Sequence, residues 1–120
     1  MLNLDTHVLL FAIHGRLNTG EQRILRRDQE WSVSAIVLWE IAKLHEKGRI
    51  RHGLDYEPIA SAIRAITIWP ITTEICLNMR SLDFQSDPAD ELIASTSFTH
   101  KLPLVTRDDR LRKSTVIRCL

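Results

Sequence analysis

The stretch Ser86–Leu111, SDPADELIASTSFTHKLPLVTRDDRL, decides the fold. Asp87 followed by Pro88 reads as a helix start. The carboxylate can cap free amide groups, and proline suits the first helical position because an N–H there would have no helical partner. Asp90 falls in the first turn. Leu92, Ile93, Ala94 and Phe98 supply an apolar face, and His100-Lys101 ahead of Pro103 marks the end. Leu102–Thr106 is a short apolar run suited to a strand covered on both faces. Arg107-Asp108-Asp109 follows at once, as an acidic turn. A carboxylate at the carboxyl end of a parallel strand lies where open α/β sheets receive their ligands.

The same alternation runs back to the start of the chain. Met1–Asp5 (MLNLD) predicts a strand ending on a carboxylate, and Thr6–Ile13 a helix stopped by His14-Gly15. Helix capping accounts for Asp5 and Thr6 as readily as a metal role does. Asn18–Asp28 predicts a more polar helix with an Asn18 or Thr19 cap. Trp31–Val33 predicts a strand leading into a helix from Ser34 to about Lys47. There Val33, Ile36, Val37, Ile41 and Leu44 form one apolar stripe. Glu40 interrupts that stripe. A carboxylate there is costly unless it is paired, protonated or bound to a cation. The bland alternative tilts it outward to pair with Lys43 or Lys47; a buried, functional Glu40 is the reading favoured here.

Leu54–Ala65 predicts an amphipathic helix with Pro58 in its first turn, and Ile66–Ile71 an edge strand ending near Pro70. Thr73–Ser81 predicts a short helix capped by Thr72 or Thr73, Asp83–Ser86 a loop, and Thr115–Arg118 a last strand. Strands alternating with helices indicate a mainly parallel sheet with helices on both faces.

At 120 residues the chain is expected to form one domain, residues 1–120. An apolar fraction of 44% and a charged fraction of 26% are ordinary for a soluble globular protein and argue against disorder. The net charge of +1 carries no global signal for nucleic acid or membrane. Local clusters exist at Lys43, Lys47, Arg49 and Arg51, and at Arg107, Arg110, Arg112 and Lys113, although a solvated face is the commoner meaning of such runs. Cys76 and Cys119 are expected to be free core thiols in a reducing cytosol. No apolar run approaches the roughly 20 residues of a membrane span, so a cytoplasmic protein is expected.

Asp5, Glu40, Asp90 and Asp108 are remote in sequence, yet each is placed to point toward one rim. Converging carboxylates repel and raise one another's pKa, and a hard divalent ion relieves that repulsion. Oxygen-only ligands favour Mg²⁺ or Mn²⁺, whereas no His/Cys spacing fits zinc.

With these pieces in place the sequence resembles the PIN-domain family, and within it the VapC-like toxin ribonucleases of toxin–antitoxin pairs. The resemblance rests on LDTHVLLF at Leu4–Phe11, VSAIVLWEIAKL at Val33–Leu44 and DPADELIASTSFTHKLPLVTRD at Asp87–Asp108. It implies a three-layer α/β/α fold with a central, mainly parallel sheet. It also implies that Asp5, Glu40, Asp90 and Asp108 form an acidic cluster that holds Mg²⁺ or Mn²⁺, with Thr6 and Ser34 as polar neighbours. Asp109 adjoins Asp108 and shares its candidacy. The expected activity is metal-dependent endoribonuclease cleavage of RNA, with Thr6 and Ser34 positioning water or a phosphate oxygen and Arg107 and Arg110 holding the substrate. The expected partners are RNA, a cognate antitoxin and a second copy of the chain. The alternative from another class is a non-catalytic module of the same fold that binds RNA or a basic protein segment. A phosphoryl-transfer domain using Asp5 as nucleophile ranks lower, because Thr6-His7 lacks the further aspartate such an enzyme places there.

Overall fold

A computed structural model describes all 120 residues. The chain begins with β1 (Leu2–Leu4), whose side chains are all buried, and passes directly into α1 (Thr6–Ile13) through Asp5. Next come α2 (Thr19–Arg27), β2 (Trp31–Ser34) and α3 (Ile36–Glu46), then α4 (Glu57–Ala65) and β3 (Thr67–Trp69). After α5 (Thr73–Asn78) and a single 3₁₀ turn at Met79–Ser81, the chain enters α6 (Pro88–His100), β4 (Leu104–Val105) and a last short helix, α7 (Asp109–Arg112).

The strands form one sheet in the order β3-β2-β1-β4, every pair parallel. Parallel neighbours need crossovers, and helices supply them, which is why apolar stripes and apolar strands alternate in the sequence. Leu4, Val33, Leu104 and Val105 from the strands pack with Val8, Leu9, Val37, Ile41, Ile93 and Ala94 from the helices in one core. All of these are at most 1% exposed. This is the expected α/β/α arrangement.

Local chemistry explains most element ends. Asn18 and Glu21 form a reciprocal capping box at the start of α2. Thr72 caps α5 through the Ile75 amide, and Asp87 caps α6 through the Asp90 amide, with Pro88 at the first position. Lys101 ends α6 in the left-handed region, at φ 55°. β3 lies at a sheet edge, as Pro70 requires.

Three expectations are corrected. Thr115–Arg118 is not a strand: only Cys119 bridges Leu104, while the preceding residues are drawn outward by hydrogen bonds from Ser114 and Thr115 to Asp83. The acidic turn after β4 begins a helix, because Asp108 accepts from the Arg110 and Leu111 amides. Cys76 is exposed rather than in the core, and Cys119 is half-buried; both are free thiols. No helix is long and apolar enough to cross a membrane.

Candidate active site

The carboxyl ends of β1 and β4, which are neighbours, place Asp5 and Thr106 side by side. Asp5 ends β1 and caps α1. Its Oδ1 accepts from the Thr6 amide at 2.8 Å and its Oδ2 from Thr106 Oγ1 at 2.6 Å. Thr106 Oγ1 in turn accepts from the Asp108 amide at 3.0 Å, so one hydroxyl links two of the acids. Asp108 Oδ1 is held by the Arg110 and Leu111 amides at 2.8 and 3.1 Å.

Glu40 approaches from α3 and is half-buried. It pairs with neither Lys43 nor Lys47. Its Oε1 accepts from Thr6 Oγ1, while Lys43 turns to Glu46 at 3.3 Å. Asp90, in the first turn of α6, accepts from Ser86 Oγ at 2.8 Å. Asn3 fixes α6 against β1: its side-chain amide donates to the Ile93 carbonyl at 3.2 Å and to Ser97 Oγ at 2.9 Å. The helix bearing Asp90 is thereby registered against the strand bearing Asp5.

Electrostatics show that the acids share one field. Burial pushes the Asp5 carboxyl above its ordinary 3.8; the bonds from Thr106 and Thr6 partly restrain the rise, and the charge of Asp108 adds to it. Glu40 is also raised, first by burial and then by Asp5 and Asp87, against the bond from Thr6. Asp90 is raised to about 6 by burial, with the bond from Ser86 opposing and Asp87, Asp5 and Asp108 contributing. Carboxyls clustered where ionisation is penalised are common at functional sites.

The adjoining surface is an open notch of about 680 Å³ lined by Ser86, Asp87, Asp90, Asp108, Asp109, Arg110 and Lys113. Arg110 is exposed and donates to the Gln85 carbonyl at 3.1 Å, so it stands beside the acids. Arg107 does not. Its guanidinium forms a two-pronged pair with Glu21 at 2.6 and 2.7 Å, reaches the Arg16 carbonyl at 3.2 Å and lies 4.0 Å over the Phe11 ring. Arg107 therefore clamps α2 to the end of β4. Ser34 is buried, and its hydroxyl accepts from the Ile36 amide at 3.3 Å at the start of α3.

Thr106, Ser86 and Asn3 are the positioning residues that sequence reasoning missed. Thr106 carried a signal in the T-x-D spacing, which permits a hydroxyl-to-amide turn. Asn3 carried one as a polar residue inside a buried strand, where it needs a partner. In donor chemistry the cluster suits a hard divalent ion, because every candidate ligand is oxygen. No three His, Cys, Asp or Glu side chains are arranged as a ready-made metal site, however.

A parallel α/β domain with carboxylates gathered at the carboxyl ends of its strands is a recognisable class of ligand-binding fold. The chain belongs to the PIN domain family, whose model matches residues 3–115. It is 33% identical over 115 residues to Ribonuclease VapC22 of Mycobacterium tuberculosis (strain ATCC 25618 / H37Rv), covering 91% of this chain and 88% of that protein. Among solved structures it resembles VapBC2 from Rickettsia felis bound to a promoter DNA fragment, with TM-score 0.69 and 17% identity over 100% of this chain and 98% of the other. FitAcB from Neisseria gonorrhoeae gives TM-score 0.70 and 20% identity, over 100% and 96% of the two chains.

Proposed function

We propose that this chain is a metal-dependent endoribonuclease, the toxin of a toxin–antitoxin pair, and hydrolyses RNA phosphodiester bonds at the acidic notch. The observation that carries the reading is that carboxylates from separate elements meet at one rim: Thr6 bonds both Asp5 and Glu40, Thr106 Oγ1 links Asp5 to the Asp108 amide, and Asp90 lies close enough to feel the charges of Asp5 and Asp108. Such a cluster is electrostatically unfavourable by itself and favourable around a cation. The likeness to a protein named as a ribonuclease supports the activity, and the likeness to a toxin–antitoxin complex from Klebsiella pneumoniae, with TM-score 0.72 and 16% identity over 98% of this chain and 95% of the other, supports the partner.

Asp5, Asp90 and Asp108 would hold Mg²⁺ or Mn²⁺, with Glu40 a direct or water-mediated ligand. The bound ion would supply a nucleophilic water near neutral pH and offset charge on the phosphate. The chain's own contributions follow from the contacts described. Thr106 orients Asp5, Thr6 orients Glu40 and Ser86 orients Asp90, each by donating to a carboxylate oxygen. Hydroxyls in this position fix ligands and tune their basicity. Arg110 and Lys113, on the wall of the notch, would bind a substrate phosphate. Arg107 and Ser34 act structurally, since the one is held by Glu21 and the other supports the start of α3.

The antitoxin would cover the notch with a segment carrying an arginine for the carboxylates. A homodimer face would draw on α4 and α5, where Leu77 of α5 and Ile71 just before it are exposed apolar residues. The non-catalytic alternative predicts RNA or protein binding that EDTA leaves unchanged. The decisive assay is cleavage of mixed cellular RNA with Mn²⁺, with and without EDTA, by wild type, Asp5→Asn and Asp90→Asn. Cleavage is expected from wild type with Mn²⁺ alone. Equal Mn²⁺-dependent cleavage by both variants would remove the basis for the proposal.

A further inference from the structure

The amino ends of the strands carry a second concavity, which the proposed reaction does not use. At about 900 Å³ it is larger than the acidic notch. Arg23, Arg26 and Arg27 line it from α2, at spacings that share one helix face, and Arg118 joins them from the C-terminal segment. All four are exposed and none takes part in an ion pair. Of the two acidic side chains in its wall, Asp28 is held by the Met1 α-amino group at 2.9 Å, which leaves Glu30. Arginines in the last turn complement the negative end of a helix. That explains Arg26 and Arg27, but neither Arg23 nor the arrival of Arg118 from another part of the chain. Unpaired guanidiniums gathered in a concave surface mark an anion site.

This cleft and the notch share no lining residue, but each shares wall residues with a third concavity. A middle groove lies between them, walled by α2 and α7 along the edge strand β4. It shares Asp109 with the notch, and Ile24 and Leu120 with the arginine cleft. Arg112 lies in the groove, one of its terminal nitrogens held by the Thr106 and Leu120 carbonyls at 3.0 and 2.9 Å. The track thus turns from the carboxyl rim of the sheet to the amino rim across a molecule only 36 × 31 × 23 Å. A stiff duplex does not follow such a turn, whereas a single strand does.

We propose that the arginine cleft is an exosite for the backbone of single-stranded RNA whose other end lies in the acidic notch, so that substrate must be long enough to reach both rims. This rests on the nuclease reading of the notch. The guanidinium fork matches phosphate oxygens in pairs, and the middle groove leading toward the proposed cleavage site favours nucleic acid over an acidic protein segment.

The test is anisotropy binding of labelled single-stranded RNAs of increasing length, titrated with KCl. It uses full-length Asp5→Asn protein to keep the RNA intact. Affinity should rise with length and then level off. Arg23→Gln/Arg26→Gln/Arg27→Gln should lose that increment, on the order of 10-fold, and its log–log salt slope should fall by about 2, at about 0.7 per phosphate on a single strand. The matching triple lysine variant should retain the slope, which separates lost charge from a damaged fold. Unchanged length dependence in the glutamine variant would overturn the exosite, as would polyglutamate binding that the arginines control while RNA binding ignores them. Cleavage by wild type without length-dependent binding refutes the exosite and spares the nuclease. Length-dependent binding lost with the arginines, in a protein that cleaves nothing, refutes the nuclease and leaves the RNA exosite.

Discussion

Asp90→Asn should make the metal-free protein more stable at neutral pH. The folded Asp90 carboxyl titrates near 6 rather than 3.8. At about 1.4 kcal/mol per pH unit, that rise is about 3 kcal/mol against ionisation. Asp90 is only half-buried, so solvent screening reduces this to about 1–2 kcal/mol. Loss of a negative charge from the first turn of α6 opposes the gain by about 0.5 kcal/mol, and asparagine still offers an oxygen to Ser86. The net stabilisation is about 1 kcal/mol, or about 3–6 °C in midpoint for a domain of this size.

The pH window follows from the direction of the shift. Below about pH 3.8 both folded and unfolded chains carry the proton, and Asp90 contributes nothing. Between that value and about 6 the unfolded chain releases its proton first, so wild-type stability falls as pH rises; above 6 the penalty is complete. The assay is thermal unfolding of both proteins from pH 4 to 8 in EDTA, repeated with Mn²⁺. The advantage of the variant should grow through the window in EDTA and shrink when the ion stabilises wild type selectively. Parallel curves in EDTA, or a less stable variant at pH 7, would refute the claim that ionised Asp90 is penalised.

Thr106→Val removes a donor to Asp5 and an acceptor for the Asp108 amide. RNA cleavage should fall about 10- to 100-fold. The acid limb of the pH–rate profile should move upward, because Asp5 loses a bond that favours its charged form. Arg107→Met leaves Glu21, 8% exposed, without its partner. Chemical denaturation should show a loss of about 1–3 kcal/mol, while cleavage per folded molecule should stay within about twofold of wild type. Asn3→Ala unties α6 from β1. It should lower kcat more than it raises KM, with a stability loss of about 1–2 kcal/mol by urea unfolding.

Readings that depended on a few adjacent residues matched the structure. Asp87-Pro88, the Asn18 cap and Pro70 act through their own backbone, and the elements they bound appear as expected. The positions of Asp5 and Asp108 followed because the strand ends were legible. Partners remote in sequence were not. Glu21 and Arg107 sit on different elements, and nothing local to either names the other. Arg107 therefore looked like a free cation beside an acidic turn. The run Thr115–Arg118 has strand-like composition, but Asp83, on another loop, captures its start. Thr106 looked like the last residue of a strand, and only the pairing of β4 with β1 reveals what its hydroxyl reaches.

Asp5 and Asp108 each begin a helix with the same side chain proposed to hold the ion, and Asp87 begins a third. Folding and chemistry therefore draw on shared atoms, and an alanine scan would confound them. Alanine would remove the cap as well as the ligand, at about 0.5–2 kcal/mol per helix start. An inactive alanine mutant could thus be merely a frayed one. The amide isostere keeps an oxygen for the backbone while discarding the charge, so at these positions asparagine alone distinguishes a broken reaction from a loosened scaffold.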